Sequence, residues 1–262
     1  MKNTITSTNP AFRAGPLVAA LAALLLVAAG SISARAGGGD VLAPESLPYG
    51  LSYQEWSAKW WQFYYGQSTN HLEPLGSPGI CEGPARHVRF LNGAPSSTTE
   101  TNHVTILADT PLFFAILGFA ADNTSCPTNT FTTNSADVLA AEAVAGWTGA
   151  ATLTTCTIDG VAVAGLDNPT NTVYNVVSTP FSYTTAEEGN IVAEAEGEPC
   201  LPGGLTVYPA VADGVYLMLS PLSVGKHAIR FVGVAGPISA PFLKIDLTYD
   251  IEVRRDSDHE GR

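Results

Sequence analysis

Fifteen residues, Ser52 to Gly66, hold three of the chain's four tryptophans, and whatever the chain folds into must house them. Ser52 followed three residues later by Glu55 is a capping box, in which each side chain satisfies a backbone N–H that the first helical turn leaves unpaired. Gly66 suits the left-handed position that closes a helix. Between them Tyr53, Trp56, Trp60, Phe63 and Tyr64 recur at helical spacing on one face, with Trp61 and Tyr65 beside it, while Gln54, Glu55, Lys59 and Gln62 fall mostly elsewhere. The spacing predicts a helix over residues 52–65 whose aromatic face is buried as core. A platform that stacks sugars is the competing use of the same residues, with Trp56, Trp60 and Trp61 as ligand contacts and Glu55 as the acid beside them.

Upstream, Lys2 and Arg13 precede the apolar run Leu17 to Ala29 and then Ala34-Arg35-Ala36. That order is a secretory signal peptide, residues 1–36, cleaved after Ala36. The apolar run is short for a membrane span, which needs roughly 20 residues, and no second run follows, so no span is expected after cleavage. Of the chain's 12 basic residues three lie in the removed segment, which has no acid; nine then face 24 acids, a mature net charge of −15. Such a balance argues against nucleic acid or anionic membrane as a partner and suits a soluble protein outside the cell. Localisation is therefore expected to be secreted or periplasmic, in a bacterium.

Cys81, Cys126, Cys156 and Cys200 are even in number and widely spaced in an exported chain, which points to two disulfides. Three connectivities are open; pairing of neighbours would close two loops of similar size, each worth roughly 4 kcal/mol in the chain-entropy view. No C-x-x-C spacing supports a metal site.

After residues 67–84, broken by Pro74, Gly76, Pro78, Gly79 and Gly83, the period changes from helical to alternating. Val88 and Phe90, then Val104 and Ile106, read as strands with one buried face, and Pro111 to Leu117 as a central strand buried on both. Ser135 can cap a short helix, Ala136 to Ala145, stopped by Gly146. Asp159-Gly160 is the pair a tight type I′ hairpin demands between Thr152–Ile158 and Val161–Ala164. Val173 to Val177 is a further strand, which Pro180-Phe181-Ser182-Tyr183 leaves. Asp213-Gly214 reads as a turn before Val215 to Leu219. Gly225 to Phe231 alternates, and Leu243 to Val253 does so most clearly, with Lys244, Asp246, Thr248, Asp250 and Glu252 on the wet face. Residues 254–262 form a charged tail.

Many alternating strands, frequent Gly/Pro turns and few helices indicate a mainly β fold. The expectation is an antiparallel β-sandwich, immunoglobulin-like or jelly-roll-like, forming one domain over residues 37–253 with the aromatic helix and one further short helix built in. The segment Pro221 to Phe231 resembles the corner before the penultimate strand of extracellular immunoglobulin-like sandwiches, with His227 where a Tyr is usual. In order along the chain, the helix Tyr53 to Trp61, the strand Leu112 to Leu117, the turn Ile158-Asp159-Gly160, and Ala212-Asp213-Gly214 leading to Pro221-Leu222 and Gly225-Lys226-His227 resemble a group of exported bacterial proteins of unassigned function. The likeness spans nearly the whole mature region. It departs before Leu112, where the group carries a Cys and a Pro-Ala-Gly turn and this chain has Val104 to Asp109. The resemblance implies one exported domain containing the aromatic helix, and it supplies no catalytic residue.

No G-x-S-x-G elbow, H-E-x-x-H helix or Gly-rich phosphate loop occurs, and no cofactor motif. His71, His87, His103, His227 and His259 are scattered; His87 and His103 start two strands and could meet as metal ligands, whereas His227 reads as a hydrogen-bonded corner residue. Glu187, Glu188, Glu194, Glu196 and Glu198 form an acidic loop without the spaced ligands of a calcium site. Two functions remain. One is a non-catalytic binding or structural module whose partner is a polysaccharide or another cell-surface protein. The other is a secreted glycan hydrolase or lyase working through paired carboxylates, marked by a cleft where acids converge beside exposed aromatics.

Overall fold

Two β-sheets, each mixed in strand direction, carry the chain, and the aromatic helix lies on the outside of one of them. The structure, a computed structural model, describes residues 39–69, 81–82, 87–92, 99–124, 132–194 and 201–255, apart from the side chains of Cys81, Glu82, His87, Trp147 and Thr148. The expected signal peptide, Cys126, Cys200, His71, His259, Glu196, Glu198 and the tail beyond 255 lie outside the described residues. The elements in order are α1 (Tyr53–Tyr65), β1 (Cys81–Glu82), β2 (His87–Leu91), β3 (Glu100–Leu107), β4 (Leu112–Asp122), α2 (Ala136–Ala143), β5 (Ala151–Ile158), β6 (Val161–Ala162), β7 (Asn175–Val177), β8 (Phe181–Thr184), the single turn α3 (Ile191–Glu194), β9 (Thr206–Leu219), β10 (Gly225–Ala235) and β11 (Leu243–Arg254).

The first sheet runs β1-β2-β4-β9-β7 with β8 also on β9, and the second runs β3-β11-β10-β5-β6. Strict antiparallel order, expected from the sequence, does not hold: β2 pairs parallel with β4, and β3 parallel with β11. The reason lies in the connections. After β2 the chain crosses to the second sheet as β3, and the turn at Asp109, in the left-handed region at φ 65, sends it back as β4 beside β2. Two crossings restore the original direction, whereas a period of two reports only which faces are buried.

Alternation divides the long strands of the first sheet between two cores. Phe114, Ile116 and Leu217 of the first sheet meet Phe231, Tyr249 and Ile251 of the second in one apolar cluster, with Phe114 and Phe231 stacked at 5.0 Å. Phe113, Ala115, Tyr216 and Met218 point the other way, toward α1. So β4 is buried on both faces, as its unbroken apolar run predicts. A smaller cluster holds α2 against Ala121 and Val211.

Several local expectations are corrected. Asp213-Gly214 is no turn but the middle of β9, a strand of 14 residues, where Gly214 stands opposite Gly118 of β4. A Cβ on Gly214 would come 2.6 Å from Leu117 O and 2.9 Å from Gly118 Cα, so glycine serves close approach of two strands here. Phe181 to Thr184 forms the strand β8 and does not merely leave one. Gly66 keeps right-handed helical angles, φ −79 and ψ −6, because Gly66 N–H and Gln67 N–H already satisfy Gln62 O and Tyr64 O. Ser135 adopts the extended angles of a cap without its side chain making the cap hydrogen bond, and α2 runs into a wider turn over Val144–Thr148, which Gly146 interrupts at ψ −141. By contrast the hairpin between β5 and β6 turns on Asp159 and Gly160, φ 51 and 78, as a type I′ turn requires.

Candidate functional site

Every chemically useful indole of α1 points inward. Trp56, Trp60 and Trp61 are 0%, 2% and 5% exposed, and each spends its N–H on an internal acceptor: Pro48 O at 2.8 Å, Leu91 O at 3.0 Å and the Tyr216 hydroxyl at 2.7 Å. These three bonds tie the helix to the leader, to β2 and to β9. Tyr53 adds a fourth, its hydroxyl donating to Leu42 O and accepting from Met218 N–H. Trp60 stacks on Tyr64 at 5.2 Å and meets Trp61 edge-on at 5.1 Å. No ring face of the three is left for a sugar. Glu55 sits at the mouth of this arrangement as a cap: its Oε2 accepts from Ser52 N–H and Ser52 Oγ–H, while Ser52 Oγ accepts Glu55 N–H. The Ser52 backbone N–H, then its hydroxyl, hold the Glu55 carboxyl below the usual glutamate range.

The outer face of the second sheet has no such cover among the described residues. Alternation sends Lys226, Ala228 and Arg230 of β10, Asp246, Thr248, Asp250 and Glu252 of β11, and Thr101, His103 and Thr105 of β3 to this side, opposite the buried Ile229, Phe231, Tyr249 and Ile251. At one end the face is hollowed into a groove of about 700 Å³ whose walls include His103, Thr105, Asp159, Lys226, Asp250 and Glu252. His103 Nδ1 lies 3.2 Å from Asp250 Oδ2, both well exposed. Toward the far end Asp246 is buried between Arg230 and Lys244, at 3.1 and 3.0 Å. Burial alone would raise the Asp246 carboxyl, but hydrogen bonds from Lys244, Thr99 and Arg230 outweigh it and hold it below the ordinary aspartate range. Carboxylates, ammonium, imidazole and hydroxyls are interleaved here and, among the described residues, no Trp, Tyr or Phe ring lines the groove, so it offers hydrogen bonds and charge to a ligand and no broad stacking face.

One corner of the groove has the order of a hydrolytic triad. His227 Nδ1 is 2.8 Å from Asp159 Oδ2, and Ser223 Oγ is 3.3 Å from His227 Nε2. The nearer partner of Nε2, however, is the Ser223 carbonyl at 2.8 Å. A carbonyl only accepts, so Nε2 carries its proton toward that oxygen and cannot take one from the hydroxyl, which general-base activation requires. Asp159 also accepts Ala228 N–H at 2.9 Å. The set is a clamp that fixes the β5–β6 turn to the start of β10. The sequence shows His227 as a corner residue, and the Asp159-Gly160 turn supplies its partner; Ser223, four residues upstream, is the part no spacing rule marks.

A second cleft, about 510 Å³, opens between β4, the end of α1 and α2, with Tyr65, Phe119, Asp122, Thr124, Glu142 and Val192 among its walls. It brings two carboxylates beside two rings. Yet Asp122 has both oxygens engaged: Oδ1 accepts Thr124 N–H and Oγ1–H at 2.7 and 2.6 Å, and Oδ2 accepts the Tyr183 hydroxyl at 2.6 Å. Glu142 Oε1 accepts from Asn134 Nδ2 at 3.3 Å.

Other sequence candidates scatter. β2 and β3 belong to different sheets, so His87 and His103 do not start neighbouring strands, and no group of three metal-ligating side chains occurs among the described residues. In the acidic stretch Glu194 accepts a hydrogen bond from Thr69 at 2.6 Å, while Glu187 lies over Gly203 and Gly204. Cys156 is buried on β5 within the inter-sheet core, while Cys126, Cys200 and the side chain of Cys81 lie outside the described residues. Among the described residues no helix is long and apolar enough to cross a membrane. No family model, no curated protein and no solved structure matches the chain.

Proposed function

We propose that this is an exported, non-catalytic binding module that meets its partner on the polar outer face of the second sheet. One observation carries the reading: the aromatic side of the molecule is spent on internal packing, and the roughly 700 Å³ groove with its exposed His103, Lys226 and Asp250 lies on the opposite sheet face, which no described residue covers. Interleaved charges without a Trp, Tyr or Phe ring suit the polar surface of another cell-surface protein better than the stacking faces of a polysaccharide. The signal-peptide pattern supports export, and the corner Pro221 to Ser223 before β10 supports treating the two sheets as a sandwich of the immunoglobulin-like or jelly-roll-like kind. A glycan hydrolase has less behind it, because Asp122 is committed to Tyr183 and Thr124.

The mature chain, Lys226→Ala, Asp250→Ala and Asp122→Ala forms are to be tested for binding to a polysaccharide panel and to purified cell-surface proteins, with reducing ends measured in the same samples. The expected result is protein binding weakened about tenfold or more by the first two substitutions and untouched by the third, with the melting temperature unchanged for the first two and lowered for the third, which removes the acceptor of three hydrogen bonds. Release of reducing ends that Asp122→Ala abolishes, or binding indifferent to Lys226 and Asp250, overturns the proposal.

A further inference from the structure

Sheet edges are where a two-sheet protein is exposed to unwanted pairing, and this one treats its edges unequally. β1 and β6 have two residues each, β7 has three and β8, which pairs with β9 alone, has four, too short to template another strand. β3 has eight. It is the terminal strand of the second sheet, pairs with β11 on one side through Glu100 to Leu107 without a register shift, and no described residue hydrogen-bonds to its other side. Glu100, Thr101, His103, Thr105 and Leu107 are exposed.

Within the strand itself the devices that usually blunt such an edge are missing. Glu100-Thr-Asn-His-Val-Thr-Ile-Leu107 contains no proline, no lysine and no bulge, and four of its eight residues are β-branched. The chain as a whole is strongly acidic, at −12, but this strand has a single full negative charge, Glu100, at its end. A partner chosen by attraction to an acidic surface would find little here, whereas a second copy of the strand meets no repulsion.

We infer that β3 pairs antiparallel with β3 of a second copy across a two-fold axis, joining the two second sheets into one continuous sheet. The period of two restricts the register to residues of the same face, so the axis passes through a residue pair of like parity. Centred on His103, it would set two imidazoles against each other. Centred on Val104, it sets Val104 against Val104, His103 against Thr105, Asn102 against Ile106 and Thr101 against Leu107, with no like charges opposed. That register also keeps both polar faces on the same side, so the two grooves lie next to each other. The inference stands apart from the binding proposal, since β3 can pair whether or not the groove takes a ligand.

The test uses the mature chain and two charge variants at Thr101 and Leu107, which line neither cleft: T101K/L107K and T101E/L107E. Sedimentation velocity should show a monomer–dimer equilibrium in the unsubstituted chain. Amide exchange in β3 should slow as protein concentration rises, with no matching change in β5 or β9. In the Val104-centred register each variant opposes like charges to itself, and its dimerisation should weaken about tenfold or more at an unchanged melting temperature. Mixing the two variants opposes Lys to Glu at both positions and should restore a heterodimer. A monomer at every accessible concentration, a dimer without β3 protection, or variants that dimerise as before would overturn the inference.

Discussion

Replacing Trp60 by alanine should cost about 4 kcal/mol, and the size of that loss separates a scaffold helix from a surface platform. Trp60 is 2% exposed, stacked on Tyr64, edge-on to Trp61 and within 6.5 Å of Tyr216. Cutting the side chain back to a methyl group removes on the order of 150 Å² of buried apolar contact, about 4 kcal/mol at roughly 25 cal/mol per Å². Leu91 O then loses its donor at 3.0 Å, which adds about 1 kcal/mol. Partial collapse of the neighbouring rings, and residual burial in the unfolded chain, return a similar amount. Trp60→Phe keeps most of the ring and loses the N–H, so it should cost about 2 kcal/mol. Equilibrium urea unfolding, followed by circular dichroism, measures both. A loss under about 1 kcal/mol for Trp60→Ala at an unchanged denaturant slope would refute the reasoning, because no fully desolvated indole is removed so cheaply.

Other consequences are open to direct measurement. Gly214→Ala puts a Cβ 2.6 Å from Leu117 O, a backbone atom that cannot swing aside, and should destabilise by about 2–3 kcal/mol in the same unfolding experiment; a neutral outcome would mean β4 and β9 are not crowded there. Burial raises the phenols of Tyr53, Tyr216 and Tyr249, so they stay neutral in the folded chain while the unfolded chain releases their protons. Their stabilising contribution is therefore whole below about pH 10 and falls as pH rises above it. Absorbance of phenolate should rise for these three only together with loss of near-UV circular dichroism, and a smooth titration of all nine tyrosines with the dichroism intact would contradict it. Protein purified from the exported fraction and denatured should show no titratable thiol, as two disulfides among Cys81, Cys126, Cys156 and Cys200 require; four thiols would remove that assignment.

How far the sequence reaches depends on what a residue's surroundings must be told from. The α1 capping box is legible because Ser52 and Glu55 act within one turn, and the β5–β6 hairpin because Asp159-Gly160 alone dictates its backbone. β4 is legible as doubly buried because its apolar run does not alternate. Non-local relations are not legible in this way. Gly118 and Gly214 are 96 positions apart, and only their apposition explains why Asp213-Gly214 continues a strand where the local signal says turn. Parallel pairing of β2 with β4 follows from a detour through the other sheet, which no periodicity encodes. The groove is of this kind too. Lys226, Asp250 and His103 come from three strands, and their convergence is fixed by register alone. Among the candidate residues, Glu55 is legible from its local role and the tryptophans from their helical spacing, whereas their acceptors at Leu91 and Tyr216 are non-local.

The account rests on the tryptophan helix being interior scaffold that frees the opposite sheet face for binding. Hydrogen exchange of the indole N–H groups of Trp56, Trp60 and Trp61, resolved by NMR on the mature chain, tests this most directly, since each is bonded to an internal acceptor at 2.7 to 3.0 Å. All three should exchange only as fast as the slowest amides of β4 and β9, through opening of the whole fold. Exchange at the rate of free indole, with those amides still protected, would contradict it.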